Sequence, residues 1–200
     1  MTYSIAINAG GQSSRMGTNK AFVVIDGRPM IERIIERVTG LNQAETFLVT
    51  NTPEDYAYLG LRMVADVLLD SGSLGGIYTA LHHSPTPYTL VLACDMPFIN
   101  PAILQKMLDL ADGKNEVIVP RVDGYPQGLH AIYQQNCQPH IQAKLEAQRL
   151  KVIGFYNEVQ VCYLDEDAYQ PLDPHGVAFM NINTPEELAE ANRLAQDLNI

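Results

Sequence analysis

Short apolar runs alternate with longer segments of helical period through the first half of the chain. Ser4 to Asn8 places Ile5, Ala6 and Ile7 in succession and reads as a buried strand, and Phe22 to Ile25 reads as a second short one. After Pro29, the residues Met30, Ile31, Ile34, Ile35, Val38 and Leu41 recur on one helical face. Phe47 to Thr50, Met63 to Val64 and Thr89 to Cys94 have the continuous apolar character of buried strands. Asn100-Pro101 supplies a cap and a first turn for a helix running through Leu110. The second half is less regular, with strands expected over Val117 to Val119, Leu129 to Tyr133, Val159 to Leu164 and Val177 to Ile182. Thr184-Pro185-Glu186-Glu187 forms a capping box that opens a final helix over 185–198. Its glutamates fit cap chemistry better than catalysis. This alternation predicts an α/β fold, a mostly parallel mixed sheet flanked by helices, in one continuous domain over 1–200.

The first strand runs into Asn8-Ala9-Gly10-Gly11-Gln12-Ser13-Ser14-Arg15-Met16-Gly17-Thr18-Asn19-Lys20. Glycines let backbone N–H groups approach a ligand closely, while Arg15 and Lys20 add positive charge. Such a loop suits a polyanion, above all nucleotide phosphates. A P-loop requires Lys directly after the second glycine, yet Gly17 is followed by Thr18-Asn19-Lys20, and Gly-x-Gly-x-x-Gly is never supplied. Neither of those two phosphate loops is present.

In open α/β sheets ligands sit beyond the carboxyl ends of the strands, where this loop begins. Asp95 follows the strand ending at Cys94 and suits Mg²⁺ held against phosphate oxygens. Asp70 precedes a second Gly/Ser-rich turn, Ser71-Gly72-Ser73-Leu74-Gly75-Gly76, with a helix expected from about Leu74. Asn51 ends another strand, within reach of a base or ribose. Asn181 and Asn183 flank Ile182 and, at a strand's period of two, share a face from which both reach a metal or phosphate.

Charge and composition remove several alternatives. A formal charge of −10 argues against nucleic-acid binding and means that an anionic ligand needs a local site. The apolar runs fall short of a membrane span, and no secretory signal is evident. Cys94, Cys137 and Cys162 fit free thiols in a reducing cytoplasm. The five histidines do not form a zinc pattern, and no Gly-x-Ser-x-Gly elbow occurs.

Taken together, the loop from Asn8 to Lys20, Asp70-Ser71-Gly72, Cys94-Asp95-Met96-Pro97-Phe98 and Asn181-Ile182-Asn183-Thr184-Pro185-Glu186-Glu187-Leu188 resemble the molybdenum cofactor guanylyltransferases, in that order. The likeness spans nearly the whole chain, with its specific motifs concentrated before residue 100. It implies a three-layer, Rossmann-like nucleotidyltransferase fold, with the N-terminal half binding nucleotide and the C-terminal half binding the acceptor. It implies transfer of GMP from GTP to the phosphate of molybdopterin or Mo-molybdopterin, with Mg²⁺ as cofactor. By that resemblance Asn8, Ala9 and Gly10 contact guanine through the backbone, and Gly11 continues the loop. Lys20 binds phosphate, Arg15 steadies the polyphosphate, Asn51 and Asp70 contact the nucleotide, and Asp95 holds Mg²⁺, with Asn183 a weaker metal ligand. Arg121 to Tyr133 is the candidate acceptor wall, and transient contact with cofactor-insertion proteins is implied. Two positions depart from the family pattern, with Asn8 where leucine is usual and Asn19 where an acid is usual. Cytidylyl transfer to molybdopterin, nucleotidyl transfer to another phosphorylated acceptor, and a non-catalytic module that binds nucleotide or cofactor and hands it on are the alternatives.

Overall fold

The computed structural model describes residues 2–9 and 19–198. In chain order the elements are strand β1 (Tyr3–Asn8), β2 (Val24–Ile25), β3 (Arg28–Pro29), helix α1 (Met30–Val38), β4 (Glu45–Val49), α2 (Pro53–Tyr56), β5 (Arg62–Val64) and α3 (Gly72–His83). They continue with β6 (Tyr88–Ala93), α4 (Pro101–Asp109), β7 (Val117–Val122), β8 (Tyr125–Pro126), β9 (His130–Gln134), α5 (Gln138–Glu146), β10 (Val161–Leu164), α6 (Glu166–Tyr169) and α7 (Pro185–Leu198).

The main sheet has the order β10-β7-β9-β6-β1-β4-β5, with β8 hanging from β7. β1 lies between β4 and β6 and is parallel to both, β5 is parallel to β4, and β10 is parallel to β7. β9 alone among the main strands runs against its neighbours β6 and β7. Because β1 and β6 are covered on both faces, every residue of each is buried, and they read as unbroken apolar runs.

One face packs Ile5, Ile7, Leu90 and Leu92 against Ile31 and Ile34 of α1 and Ile103 and Leu104 of α4. The other packs Ala6, Phe47 and Val91 against Leu74 and Ile77 of α3 and Ile141 of α5. A third, smaller cluster joins Val23, Ile25, Met30 and Phe98 to Val177, Ile182 and the α7 residues Ala191 and Ala195. It docks the C-terminal helix and the segment leading into it beside the end of β6.

Four expected elements differ. Phe22 to Ile25 is split between a 3₁₀ turn (Lys20–Phe22) and the short β2, which pairs with β3 across Asp26-Gly27. Val177 to Ile182 forms no strand: its apolar residues fill the third cluster and find no ladder partner. β10 begins only at Val161, two residues inside the expected run. The helix expected from about Leu74 starts earlier, at Gly72, after a turn in which Asp70 (φ 56°) and Gly72 (φ 57°) are both left-handed.

Candidate functional site

The parallel strands β1, β4 and β6 end on one edge of the sheet, and a cavity of about 700 Å³ opens there. Asn8, Ala9, Lys20, Asn51, Asp70 and Asp95 all line it. Gly10, Gly11 and Arg15 lie outside the described residues. The segment from Leu68 to Ser73 and the start of α3 form one side of the opening. No acidic residue occupies the first turn of α3, and the side chain of its N-cap residue Ser71 makes no capping hydrogen bond.

Lys20 begins the 3₁₀ turn, which is capped by the Asn19 side chain: its Oδ1 accepts from the Ala21 N–H at 3.1 Å. The Lys20 ammonium donates to Asn183 Oδ1 and sits 3.8 Å from an oxygen of Asp95. Asp95 follows β6 and exposes only 23% of its side chain. Burial therefore pushes its pKa up from the usual carboxylate value; Lys20 pulls the other way, and Glu187 adds repulsion.

Asn183 reaches this point by a route other than strand alternation. No strand forms over 177–182, so the period-two argument for Asn181 and Asn183 does not apply. Instead the Ile182 N–H donates to the Asp95 carbonyl at 2.9 Å, anchoring the incoming segment beside the aspartate. The capping box then fixes Asn183. Glu187 accepts from the backbone N–H groups of Asn183 (2.6 Å) and Thr184 (2.9 Å), while its own N–H donates to Thr184 Oγ1 at 3.1 Å.

Asn51 is engaged with Asp66: its Nδ2 donates to Asp66 Oδ2 at 2.8 Å, and its Oδ1 accepts from the Asp66 N–H at 2.9 Å. Asp70 is exposed on the rim. The backbone of Asn8 and Ala9 is already paired in part: the Asn8 carbonyl accepts from Cys94 N–H, and the Ala9 N–H donates to Val49. A ligand would use the remaining carbonyl lone pairs there. The Asn8 side chain turns to α3, where its amide lies against Gly76, and its Oδ1 is buried without a partner.

Of the Arg121–Tyr133 stretch, Leu129 borders the cavity. Arg121 is ion-paired with Asp165 at 2.6 Å, beside a separate shallow pocket. His130 is fully buried under Phe179, with ring centroids 4.8 Å apart, and burial pushes its pKa down to about 3.

Tyr56 and Asp66 carry no signal in the sequence, and Gly76 shows there only as the last residue of the Gly/Ser-rich turn. Tyr56 is wholly buried, donates to the Ala9 carbonyl at 3.0 Å and accepts from Asn19 Nδ2 at 2.8 Å. Nothing in the polar stretch around Pro53 signals it; the contacts span 37 and 47 residues of sequence.

Among the described residues no group of three or more His, Cys, Asp or Glu side chains is arranged to hold a metal. What the site offers is the Asp95 carboxylate and the Asn183 carboxamide oxygen, both gathered on Lys20. Hard oxygen donors of this number suit a small divalent cation whose remaining ligands are water and substrate phosphate. The described charged residues around the cavity are three aspartates (Asp66, Asp70, Asp95) and one lysine (Lys20).

Comparison with known proteins bears on this geometry. A family model described as "MobA-like NTP transferase domain" matches residues 5–161. A protein of Pelotomaculum thermopropionicum named "Probable molybdenum cofactor guanylyltransferase" is 39% identical over 194 residues, covering 96% of this chain and 92% of its own. One from Desulfosudis oleivorans, named "Molybdenum cofactor guanylyltransferase", is 34% identical over 186 residues, covering 92% of each chain. Among solved structures, molybdopterin-guanine dinucleotide biosynthesis protein A from Archaeoglobus fulgidus superposes with a TM-score of 0.84 at 25% identity, covering 97% of this chain and 99% of that one. A 2-C-methyl-D-erythritol 4-phosphate cytidylyltransferase from Thermus thermophilus shares the fold, with a TM-score of 0.71 at 19% identity over 98% of this chain and 100% of its own.

Proposed function

This chain belongs to the MobA-like NTP transferase family, and we propose that it transfers GMP from GTP to the terminal phosphate of molybdopterin, or of Mo-molybdopterin, releasing pyrophosphate. The observation that carries this reading is the convergence of Lys20, Asp95 and Asn183 at the carboxyl edge of β1 and β6, on a cavity of about 700 Å³ that suits a nucleotide.

An oxygen of the acceptor phosphate attacks the α-phosphorus of GTP, and the bond from that phosphorus to the β-phosphate oxygen breaks, so pyrophosphate leaves with the electron pair. The acceptor phosphate is already anionic, and no side chain has to remove a proton from it. Catalysis is then positioning plus stabilisation of charge on the α-phosphate and the leaving group. Lys20 supplies a cation held in place by Asn183 and Asp95. The family implies a divalent metal, and we assign it as Mg²⁺, held by Asp95 with Asn183 as a weaker ligand. When bound, it supplies Lewis-acid neutralisation of phosphate charge.

In this reading Asn8, Ala9 and Gly10 contact guanine through the backbone, Gly11 continues the nucleotide-binding loop, Asn51 and Asp70 contact the nucleotide, and Arg15 steadies the polyphosphate. The chain works as one domain, with the nucleotide on its N-terminal half and the acceptor on its C-terminal half near Leu129. No helix among the described residues is long and apolar enough to cross a membrane. Three free cysteines support placement in a reducing cytoplasm, where contact with cofactor-insertion proteins would shelter the product.

The experiment is pyrophosphate release from GTP, CTP, ATP and UTP with Mg²⁺ and molybdopterin. GTP-selective release that requires the acceptor is expected. Selective release from CTP would keep the mechanism and change the product. Tight retention of GTP without pyrophosphate would replace the enzyme with a hand-over module.

A further inference from the structure

We propose that Tyr56 is a positioning residue for the nucleotide site, its hydroxyl tying Ala9 to Asn19, and that this tie requires an amide at position 19. The inference rests on the nucleotidyl-transfer reading of the site. Ala9 and Asn19 bound the segment 10–18, so one buried hydroxyl joins the two residues from which that segment departs and returns.

The direction of each hydrogen bond is fixed by chemistry. The Ala9 carbonyl can only accept, so the single Tyr56 proton goes to it, at 3.0 Å. The phenol oxygen then needs a donor, and Asn19 Nδ2 provides one at 2.8 Å. The orientation of that amide is set independently, because its other end must be oxygen to accept the Ala21 N–H at 3.1 Å. The chain Ala21 N–H to Asn19, Asn19 to Tyr56 and Tyr56 to Ala9 is thus satisfied in one direction. A carboxylate at 19 would still cap Ala21 but could not donate to Tyr56. Two acceptors would then compete for one phenol proton. Burial pushes the Tyr56 pKa up to about 12, so the proton is present throughout any ordinary assay.

A second contact points the same way. Phe22 closes the turn that starts with Lys20, and its ring stacks on Tyr56 at 4.8 Å between centroids. Tyr56 therefore grips the Lys20 turn by its ring and by Asn19, and grips the end of β1 through Ala9. Lys20 aims from that turn at Asn183 and Asp95.

The test is a double-mutant cycle on the whole protein with Tyr56→Phe, Asn19→Asp and the pair, the phenylalanine keeping the stack on Phe22. Each single change is expected to lower kcat/KM for GTP roughly tenfold, the scale of one buried hydrogen bond left unmade. The pair should be no worse than the poorer single by more than about twofold, since both remove one tie. Amide hydrogen exchange at Ala9 and over residues 19–23 should quicken in both single variants, with the unfolding of the rest of the chain unchanged. Effects that multiply, or exchange at those residues equal to wild type, would overturn the inference. A wild-type protein inert towards GTP would sink the proposed function instead, and the exchange measurement would still decide the tie.

Discussion

Gly76→Ala is a small change whose consequence depends on one neighbour. A Cβ at 76 would stand 2.7 Å from Asn8 Nδ2 and 3.3 Å from its Cγ, so the amide must move. Asn8 is 9% exposed, with core on one side and the cavity ahead of it, and the open direction is towards the nucleotide. Overpacking of this kind costs about 1–3 kcal/mol. The same substitution in the middle of α3 returns about 1 kcal/mol of helix propensity. The net expectation is a loss of about 0–2 kcal/mol in wild type, together with a raised KM for GTP as the amide enters the cavity. In an Asn8→Ala background the clash is gone and only the propensity gain of about 1 kcal/mol remains, so Gly76→Ala should become stabilising. Urea unfolding of the four proteins in the cycle reads the interaction directly, with an expected coupling of about 1–3 kcal/mol. Equal effects of Gly76→Ala in both backgrounds would refute the packing argument.

Thr184→Ala removes one half of the capping box and is expected to lower stability by about 1 kcal/mol. Because Glu187 also holds the Asn183 N–H, kcat should fall by more than that loss of stability explains, as measured by pyrophosphate release beside urea unfolding. Burial raises the Asp95 pKa, so the carboxylate protonates at a higher pH than an ordinary aspartate as the solution is acidified. Cation affinity, followed by calorimetry, should therefore begin to weaken at a correspondingly higher pH. Lys20→Met should move that limb higher still, because it removes the charge opposing the shift. An unmoved limb in Lys20→Met would detach Asp95 from the cation site.

The parts of the fold that sequence reveals are those whose pattern is set by burial alone. Ile5 to Ile7 and Leu90 to Leu92 are covered on both faces, so each reads as an apolar run whatever its neighbours are. Val177 to Ile182 has a similar local pattern, yet it lacks a neighbouring strand and fills the cluster under α7. Local pattern cannot distinguish an apolar segment with a ladder partner from one without. The β2–β3 hairpin did leave a signal in Asp26-Gly27, whose positive φ values of 47° and 77° suit a two-residue turn. Phe22 obscured it by lengthening the apparent run. At the site, Lys20 and Asp95 stand out through residue type and position, the first as a cation closing the glycine-rich stretch after β1 and the second as a carboxylate just past β6. Tyr56 does not, because its role comes from contacts with Ala9 and Asn19 across the sheet edge, and the Gly/Ser-rich turn containing Gly76 does not reveal that residue's contact with Asn8.

The charge around the cavity makes the need for a divalent cation a quantitative expectation. Three aspartates face one lysine among the described lining residues, on a chain whose formal charge is −10. A triphosphate arriving without a cation therefore meets, among these described residues, a local field that does not favour it. At low ionic strength the Debye length is about 30 Å, and the repulsion of the whole chain is felt at the site; at 0.15 M it is about 8 Å, and little beyond the cavity acts. Raising the salt should therefore strengthen GTP binding measured in EDTA, the reverse of what an electropositive phosphate site gives. With Mg²⁺ present the dependence should flatten, since part of the phosphate charge is neutralised before the field of the chain acts on it. GTP affinity that falls steeply with salt in EDTA would mean that Lys20 and the loop outweigh the aspartates. The cation would then serve the chemical step without being needed to bring the nucleotide in.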